Sequence, residues 1–326
     1  MRRRDFITLF GGAAVAWPRA ARAQQVRRIG VLMPLVKDDP EDQARVAALE
    51  EGLKQAGWIE GRNIRIEYRW YAGEAAQARI LAKELIDSRP ELIVVGSSPG
   101  TLAVRQETRT IPMVFVAVAD PVGAGLVGNL VRPGGNATGL TFFEFSVGGK
   151  LLETLKQAAP GVVRVAVVYN PQTSVFAPYL SSVQSAASSF GVTLVPSPVR
   201  EPAEIETALA AIGRELGGGV ICLPDTYLTV HRQQIVALTA RHKLPAIYSA
   251  RSFATDGGLV SYGVDTNGLY RRSAVYVDRI LKGANPSELP VQQPTKYELV
   301  LNLKTAKALG LTIPLSLQVG ADEVIE

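Results

Sequence analysis

Polar side chains follow several of the short apolar runs in this sequence, and their types suit the binding of a small charged molecule. Ser97 and Ser98 follow the run ELIVVG, and with Thr101 they open a segment of helical periodicity. Hydroxyl groups and free backbone N–H groups at the start of a helix can hold a carboxylate. The same serines can instead cap the helix, with Pro99 at its first position. Both interpretations stay open for this segment.

Acidic, amide and hydroxyl side chains occupy the same position after other apolar runs. Asp120 follows VFVAVA and Asn170 follows VAVVY. Asp225 and Thr226 follow VICLP, and Tyr248 follows LPAI. Taken singly, each is more often a cap or turn residue than a ligand contact. Because the carboxyl ends of parallel strands meet at one edge of a sheet, we expect the set to surround one ligand.

Neither catalysis nor metal binding is favoured by the remaining residues. His231 and His242 are the only histidines, 11 residues apart on one predicted helix, with no cysteine or acidic residue at metal-ligand spacing. Arg232 and Arg241 flank them, which predicts a solvated helix face. The glycine-rich segment RPGGNATG lacks the order of a dinucleotide loop, and the chain has no G-x-S-x-G elbow or P-loop. We therefore expect a protein that is not an enzyme and has no cofactor or metal.

The elements that must position the candidate residues follow from the alternation of apolar runs and amphipathic stretches. Five strand-like runs lie between residues 28 and 143, separated by helix-like segments such as 41–57 and 76–89. A second series of the same order and length follows between residues 163 and 249. Strands that are apolar throughout belong to parallel sheets covered on both faces. The sequence therefore predicts an α/β protein with two doubly wound lobes, because a single barrel would not restart its pattern.

The first 23 residues predict an export signal. Three arginines precede an apolar run over residues 8–17 that is too short to span a bilayer, and the run ends in the small-residue site ARA at residues 21–23. The adjacent arginines followed by Phe6 resemble the twin-arginine type. We therefore expect cleavage near Ala23 and a periplasmic location.

Removing this signal changes the charge of the chain. It takes away five of 35 basic and one of 30 acidic residues, so the net charge falls from +5 to +1. Nucleic-acid binding normally needs several basic contacts to phosphates, and no basic run survives to supply them. A nucleic-acid partner is therefore not expected. The single cysteine, Cys222, excludes an intrachain disulfide and lies in an apolar run typical of a buried strand.

Several longer stretches resemble the substrate-binding proteins of ABC transporters, in the branch linked to uptake of aromatic amino acids such as tryptophan. The resemblance covers essentially the whole chain and includes the leader. The stretches that carry it are VFVAVADPVGAGLV (114–127), NATGLT (136–141), and residues 220–249, 257–265 and 289–311.

This resemblance implies the type I periplasmic binding protein fold, in which two Rossmann-like lobes are joined by three crossovers and hold ligand in the cleft between them. The N-terminal lobe is then expected over residues 26–145 plus 263–285, and the C-terminal lobe over 146–262 plus 286–326. The crossovers are expected near residues 144–148, 261–265 and 284–289. The cleft residues that the resemblance implies are those already identified after the strands.

The resemblance also implies the function. We expect a monomeric receptor that binds an amino acid, aromatic in type, or a related small carboxylate, and presents it to an ABC permease in the inner membrane. Phe142, Phe143, Tyr227 and Tyr248 could form an aromatic wall of the cleft or belong to the core, and both interpretations stay open. The alternative function is a ligand sensor that uses the same cleft to signal to a membrane receptor or kinase.

Overall fold

The computed structural model describes residues 26–142, 145–172 and 176–326. The predicted export signal lies outside these residues. Twelve strands of the described chain form two sheets. The strands are β1 (Arg27–Met33), β2 (Ile64–Trp70), β3 (Leu92–Gly96), β4 (Met113–Val118), β5 (Ala137–Thr141), β6 (Arg164–Tyr169), β7 (Thr193–Pro198), β8 (Gly218–Cys222), β9 (Ala246–Tyr248), β10 (Val260–Val264), β11 (Tyr297–Asn302) and β12 (Glu323–Ile325).

Helices follow most of the strands, as the alternating pattern predicts. Two short 3-10 helices, Ser188–Phe190 and Pro286–Glu288, accompany them. The α-helices are α1 (Pro40–Gln55), α2 (Ala75–Asp87), α3 (Ser97–Glu107), α4 (Val147–Ala158), α5 (Ala177–Ala187), α6 (Pro202–Ile212), α7 (Thr226–Val230), α8 (Arg232–Arg241), α9 (Arg251–Thr255), α10 (Thr266–Leu281), α11 (Leu303–Ala308) and α12 (Leu315–Val319).

Local sequence explains where α1 begins and ends. The Asp39 carboxylate accepts a hydrogen bond from the Glu41 N–H at 2.9 Å and so caps the helix, and Pro40 occupies its first position. Glu41 lies in the first turn and Lys54 in the last, where each charge interacts favourably with the helix dipole. These local features determine where the two ends of α1 lie.

The two sheets repeat one topology. The first has the order β2-β1-β3-β4-β5, with all of its strand pairs parallel. The second has the corresponding order β7-β6-β8-β9-β10 and adds β11, antiparallel to β10, and β12. The prediction of two doubly wound α/β lobes is confirmed, and the second series of strands repeats the first in space as it does in sequence.

Apolar residues cover both faces of each sheet. In β1, Ile29, Val31 and Met33 belong to one cluster of buried side chains, while Leu32 belongs to a cluster on the other face. The second sheet likewise separates two buried clusters. This is why the strands are apolar throughout instead of alternating with polar residues.

The chain passes between the lobes three times. It crosses after β5, between β10 and α10, and between Gln292 and β11. Helix α10 packs on α1 and β4 and therefore belongs to the N-terminal lobe. No helix within the described ranges combines the length and apolar character needed to cross a bilayer.

The third crossover lies later than the sequence predicts. The expected C-terminal segment starts at residue 286, but the Gln292 N–H donates to the Gly139 carbonyl of β5 at 3.0 Å, and Leu289 and Val291 are buried in N-terminal clusters. These two apolar side chains hold the segment against the first sheet. At the second crossover, β10 keeps residues 263 and 264 in the second sheet, although the prediction assigned them to the N-terminal lobe.

Candidate functional site

A cavity lies between the lobes at the carboxyl ends of the strands. A position between two lobes is typical of a site for a small molecule. Its apolar lining consists of Pro34, Leu35, Pro99, Ala117, Ala119, Phe142, Pro224 and Ala250. Its polar and charged lining consists of Arg45, Ser97, Ser98, Asp225, Thr226, Thr229, Ser249, Thr266 and Tyr270.

The start of α3 forms one wall of the cavity. Ser97, Ser98 and Pro99 are its first three residues, and its cap position is Gly96, which has no side chain. Neither serine therefore caps the helix, which answers one of the questions that the sequence leaves open. The Ser98 hydroxyl accepts from the Ala119 N–H at 3.3 Å and keeps its own proton to donate.

Two cavity residues hold strained backbone. Ser97 and Ala117 have φ angles of +62° and +61°, in the left-handed region that favours glycine. Ser97 is the first residue of α3 and directly follows β3. Its hydroxyl lies 2.6 Å from the Tyr71 hydroxyl. Ala117 lies at the irregularity in the pairing of β4 with β5. Strain of this kind persists where the surrounding structure enforces it, and it clusters at functional sites.

Arg45 brings a buried positive charge to the cavity from α1. Its guanidinium donates to the Asp42 carboxylate at 2.9 Å and to the Glu41 carboxylate at 3.2 Å. Asp42 also accepts from the Leu35 N–H at 2.9 Å. Burial raises the pKa of Asp42 to about 6, with Arg45 and the backbone hydrogen bond opposing the rise.

Two buried donors on side chains that line the cavity have no partner among the described residues. They are the Arg45 Nε atom and the Tyr270 hydroxyl, and both side chains line the cavity. Tyr270 comes from α10, and its hydroxyl lies so close to Gly96 that a Cβ there would be 2.2 Å away. The two donors and the start of α3 therefore lie in one region, which suits a ligand with acceptor oxygens.

Asp225 supplies the negative charge from the opposite lobe. Its carboxylate accepts from the Leu228 N–H at 2.9 Å and caps α7, and the same side chain lines the cavity. Thr226 and Thr229, also on α7, line the cavity beside it. Capping and cavity lining, treated as alternatives in the sequence, are thus both satisfied by this residue.

Four residues predicted as ligand contacts lie outside the cavity lining. Thr101 is fully buried, and its hydroxyl donates one turn back to the Ser97 carbonyl at 2.6 Å. Asp120 accepts from the Gly123 N–H at 2.7 Å and closes a turn. Asn170 accepts from the Gln172 N–H at 2.8 Å. Tyr248 is fully buried in the C-terminal core, where its hydroxyl lies 2.9 Å from the Thr239 hydroxyl.

The aromatic residues that could form a wall of the cleft or belong to the core divide between these two places. Phe142 lines the cavity, whereas Tyr227 is buried in the C-terminal core with its ring 4.2 Å from that of His231. Phe143 lies outside the described residues. Tyr270 takes the place of Tyr248 as the second aromatic residue of the cavity.

Arg45 and Tyr270 are not among the residues directly after each strand, where the ligand contacts were expected. Both lie one to two turns inside a helix that follows a strand. The first turns of such a helix lie above the same sheet edge as the loop before it. A polar or aromatic residue four to six positions after a helix start would have been the signal.

The predicted solvated face around the two histidines is wrong for Arg232. The expected single helix over residues 229–243 is broken at His231, which ends α7 and precedes α8. Arg241 is exposed, but the Arg232 side chain is only 6% exposed and forms ion pairs with Asp39 and Asp256. No group of three metal-ligating side chains occurs in the part of the chain that the structure describes.

Comparison with known proteins shows which family has this two-lobe architecture. A family model described as ABC transporter substrate binding protein matches residues 28–325. The tyrosine-binding protein of Clostridioides difficile is 26% identical over 290 residues, which are 89% of this chain and 82% of that protein. A conserved domain protein of Vibrio cholerae is 30% identical with a TM-score of 0.83, covering 92% of this chain and 100% of its own.

Two further solved structures differ in their ligand state. An ABC domain of Streptococcus pneumoniae in complex with L-Trp is 25% identical with a TM-score of 0.85, over 92% of this chain and 99% of its own. A ligand-free, open substrate-binding protein of Clostridium difficile is 24% identical over the same shares, with a TM-score of 0.68.

The family match extends over nearly all of the described residues and agrees with the two-lobe fold and the inter-lobe cavity. Proteins of this family work outside the cytoplasm, where they bind a small molecule for an ABC transporter and do not convert it. This chain belongs to the ABC transporter substrate-binding protein family.

Proposed function

We propose that the protein is the soluble receptor of an ABC importer and that its ligand is an amino acid with an aromatic side chain. One observation carries this proposal. Among the described residues, the charged side chains that line the cavity are Arg45 from one lobe and Asp225 from the other. An α-amino acid carries one negative and one positive group and complements this pair.

The carboxylate of the ligand is assigned to the region of α3 and Arg45. The first turn of α3 offers backbone N–H groups at the positive end of the helix dipole. The Ser98 hydroxyl, the Arg45 Nε atom and the Tyr270 hydroxyl are additional donors. A buried donor without a partner costs about 1–3 kcal/mol, so an acceptor oxygen supplied by a ligand stabilises this region.

The ammonium group is assigned to α7. An ionised carboxylate accepts several hydrogen bonds at once, so capping of the helix by Asp225 is compatible with accepting from a ligand. The Thr226 and Thr229 hydroxyls lie beside it on the cavity wall. Because α7 belongs to the C-terminal lobe, a ligand held in this orientation bridges the two lobes.

The side chain of the ligand is assigned to the apolar lining. Phe142 and Tyr270 offer rings against which an aromatic side chain can stack, and four proline and leucine side chains complete the wall: Pro34, Leu35, Pro99 and Pro224. The ligands of two relatives, tyrosine and L-Trp, belong to this class.

We also propose where the protein works and in which assembly. The twin-arginine-type leader would direct the chain to the periplasm and be cleaved near Ala23. There the protein would act as a monomer and deliver its ligand to a permease in the inner membrane.

Calorimetric titration with a matched ligand series tests the proposal. The probes are L-tryptophan, indole-3-propionate, which lacks the ammonium group, and tryptamine, which lacks the carboxylate. We expect L-tryptophan to bind about 10- to 100-fold more tightly than either analogue, because each analogue loses one charge-assisted contact worth roughly 1.5–3 kcal/mol. Equal binding of the three, or binding of none, contradicts the proposal.

A further inference from the structure

Arg232 connects the two lobes through a carboxylate on each side. Its guanidinium donates to Asp39 of the N-terminal lobe at 2.6 and 3.2 Å. The same group donates to Asp256 of its own lobe at 2.8 Å and to the Thr229 carbonyl at 3.2 Å. The side chains of Arg232 and Asp39 are only 6% and 8% exposed, so water is largely excluded from the contact between the lobes.

Both partners are adjacent to elements that line the cavity. Asp39 is the cap of α1, the helix that brings Arg45 to the cavity. Arg232 begins α8 and is separated by one residue from the short helix α7, which contributes Thr226 and Thr229 to the opposite wall. The ion pair therefore joins the two walls that the proposed ligand would bridge.

Separation of the lobes would break only one part of this network. Arg232 would keep Asp256 and the Thr229 carbonyl, because all three belong to the C-terminal lobe. Asp39 would keep its capping bond to the Glu41 N–H and become hydrated. No buried charge would be left unpaired, so the bond between Asp39 and Arg232 can form and break with closure at a low desolvation cost.

We propose that the Asp39–Arg232 pair is a latch that stabilises the closed arrangement of the lobes, with Arg232 as a positioning residue for the ligand. A charge-assisted, two-bond contact sheltered from water is stronger than a surface ion pair. The pair can form with the cleft empty as well as around a ligand, and in both cases it opposes reopening of the lobes. Loss of the latch therefore accelerates release of the ligand and leaves its association nearly unchanged.

The variants are chosen to separate the latch from general stability. Asp39→Asn removes the charge that faces the other lobe, and asparagine caps a helix as well as aspartate does. Asp256→Asn is the matched control, because it removes the same charge from the same guanidinium but within one lobe. Because Asp256 and Arg232 lie in the same lobe, this substitution affects the stability of the open and the closed arrangement equally. Circular dichroism and thermal unfolding check that both variants fold.

Distances between two labels measure closure without any ligand. The native Cys222 is buried, so spin labels attach selectively to Ile80→Cys and Leu216→Cys, whose parent side chains are exposed on different lobes. We expect Asp39→Asn to shift the distance distribution away from that of the parent and towards an open form, while Asp256→Asn matches the parent. Identical distributions in all three proteins, or an equal shift in both variants, overturn the latch.

Stopped-flow kinetics with L-tryptophan provide the second measurement, which rests on the proposed function. We expect Asp39→Asn to raise the dissociation rate about tenfold and to change the association rate by less than about twofold, as is usual when a buried charge pair is broken. Equal dissociation rates in Asp39→Asn and Asp256→Asn contradict the latch. Label distances that shift while L-tryptophan fails to bind would refute the ligand assignment and leave the latch standing.

Discussion

At the scale of single residues, the cavity owes its polarity to a few side chains that are already engaged with the protein. Arg45 is held by two carboxylates, and Asp225 caps a helix. These contacts fix both charges in place before a ligand binds, which lowers the entropy lost on binding.

Replacement of Arg45 tests its assigned role. We expect Arg45→Met to raise the Kd for L-tryptophan by about 10- to 100-fold, because a hydrogen bond to a charged group contributes roughly 1.5–3 kcal/mol. Asp120→Asn is the control, since Asp120 closes a turn outside the cavity lining and asparagine can replace it there. Calorimetry measures both. A larger loss of affinity in Asp120→Asn than in Arg45→Met would reverse the assignment.

Asp42 gives a pH dependence with a definite sign. Burial raises its pKa to about 6, above the ordinary value of 3.8. Between these pH values the folded protein retains a proton that the unfolded chain has lost, so this group lowers the free energy of unfolding as the pH rises. The full effect, present above pH 6 and absent below pH 3.8, is on the order of 3 kcal/mol.

Urea unfolding of Asp42→Asn and its parent between pH 4 and 7 measures this contribution. We expect the difference in free energy of unfolding to change in favour of the variant as the pH rises to about 6, because asparagine does not ionise. A difference that is constant across this range, or that changes in the opposite direction, would show that ionisation of Asp42 does not destabilise the folded protein.

At the scale of elements, close packing between α1 and α10 sets the position of both Arg45 and Tyr270. A Cβ added at Gly52 of α1 would lie 2.4 Å from the Arg271 carbonyl oxygen and 2.8 Å from the Ala274 Cβ of α10. The two helices can approach this closely only because position 52 has no side chain. The geometry of the carboxylate region thus depends on a contact between residues that do not themselves line the cavity.

Alanine substitution at two helical glycines distinguishes this contact from a general effect of helix propensity. We expect Gly52→Ala to lower the free energy of unfolding by about 2 kcal/mol, because overpacking forces α1 away from α10. In α4, a Cβ at Gly149 would have no neighbour closer than 3.5 Å, so Gly149→Ala should raise stability by up to about 1 kcal/mol. Chemical unfolding measures both changes. Destabilisation of equal size at the two positions would contradict the packing argument.

Much of the element scale was predictable from the sequence because periodicity and caps act locally. The helix expected over residues 41–57 is α1, and the restart of the pattern after residue 160 is the second lobe. Burial within a lobe was less predictable, because a residue at a strand end can face either the core or the cleft. Tyr248 is still paired within β9, opposite Ser261, and its ring faces the core. Asp39, the partner of Arg232, lies 193 residues away in the sequence, and no local pattern reveals such a contact.

At the scale of the whole molecule, the cavity exists only because two lobes with the same topology face each other across three crossovers. Each lobe supplies one charge, and the ligand is the part that would join them. The Asp39–Arg232 pair makes a second connection near the same walls. Recognition and closure are thus linked in one arrangement of the lobes.

Calorimetric titration of Asp225→Asn with two ligands tests the central claim most directly, namely that an amino acid bridges the lobes through its ammonium group. Asparagine keeps the cap on α7 and removes the charge. We predict that the affinity for L-tryptophan falls about 100-fold, while the affinity for indole-3-propionate, which has no ammonium group, changes by less than about twofold. An unchanged affinity for L-tryptophan, or an equal loss for both ligands, would contradict the account.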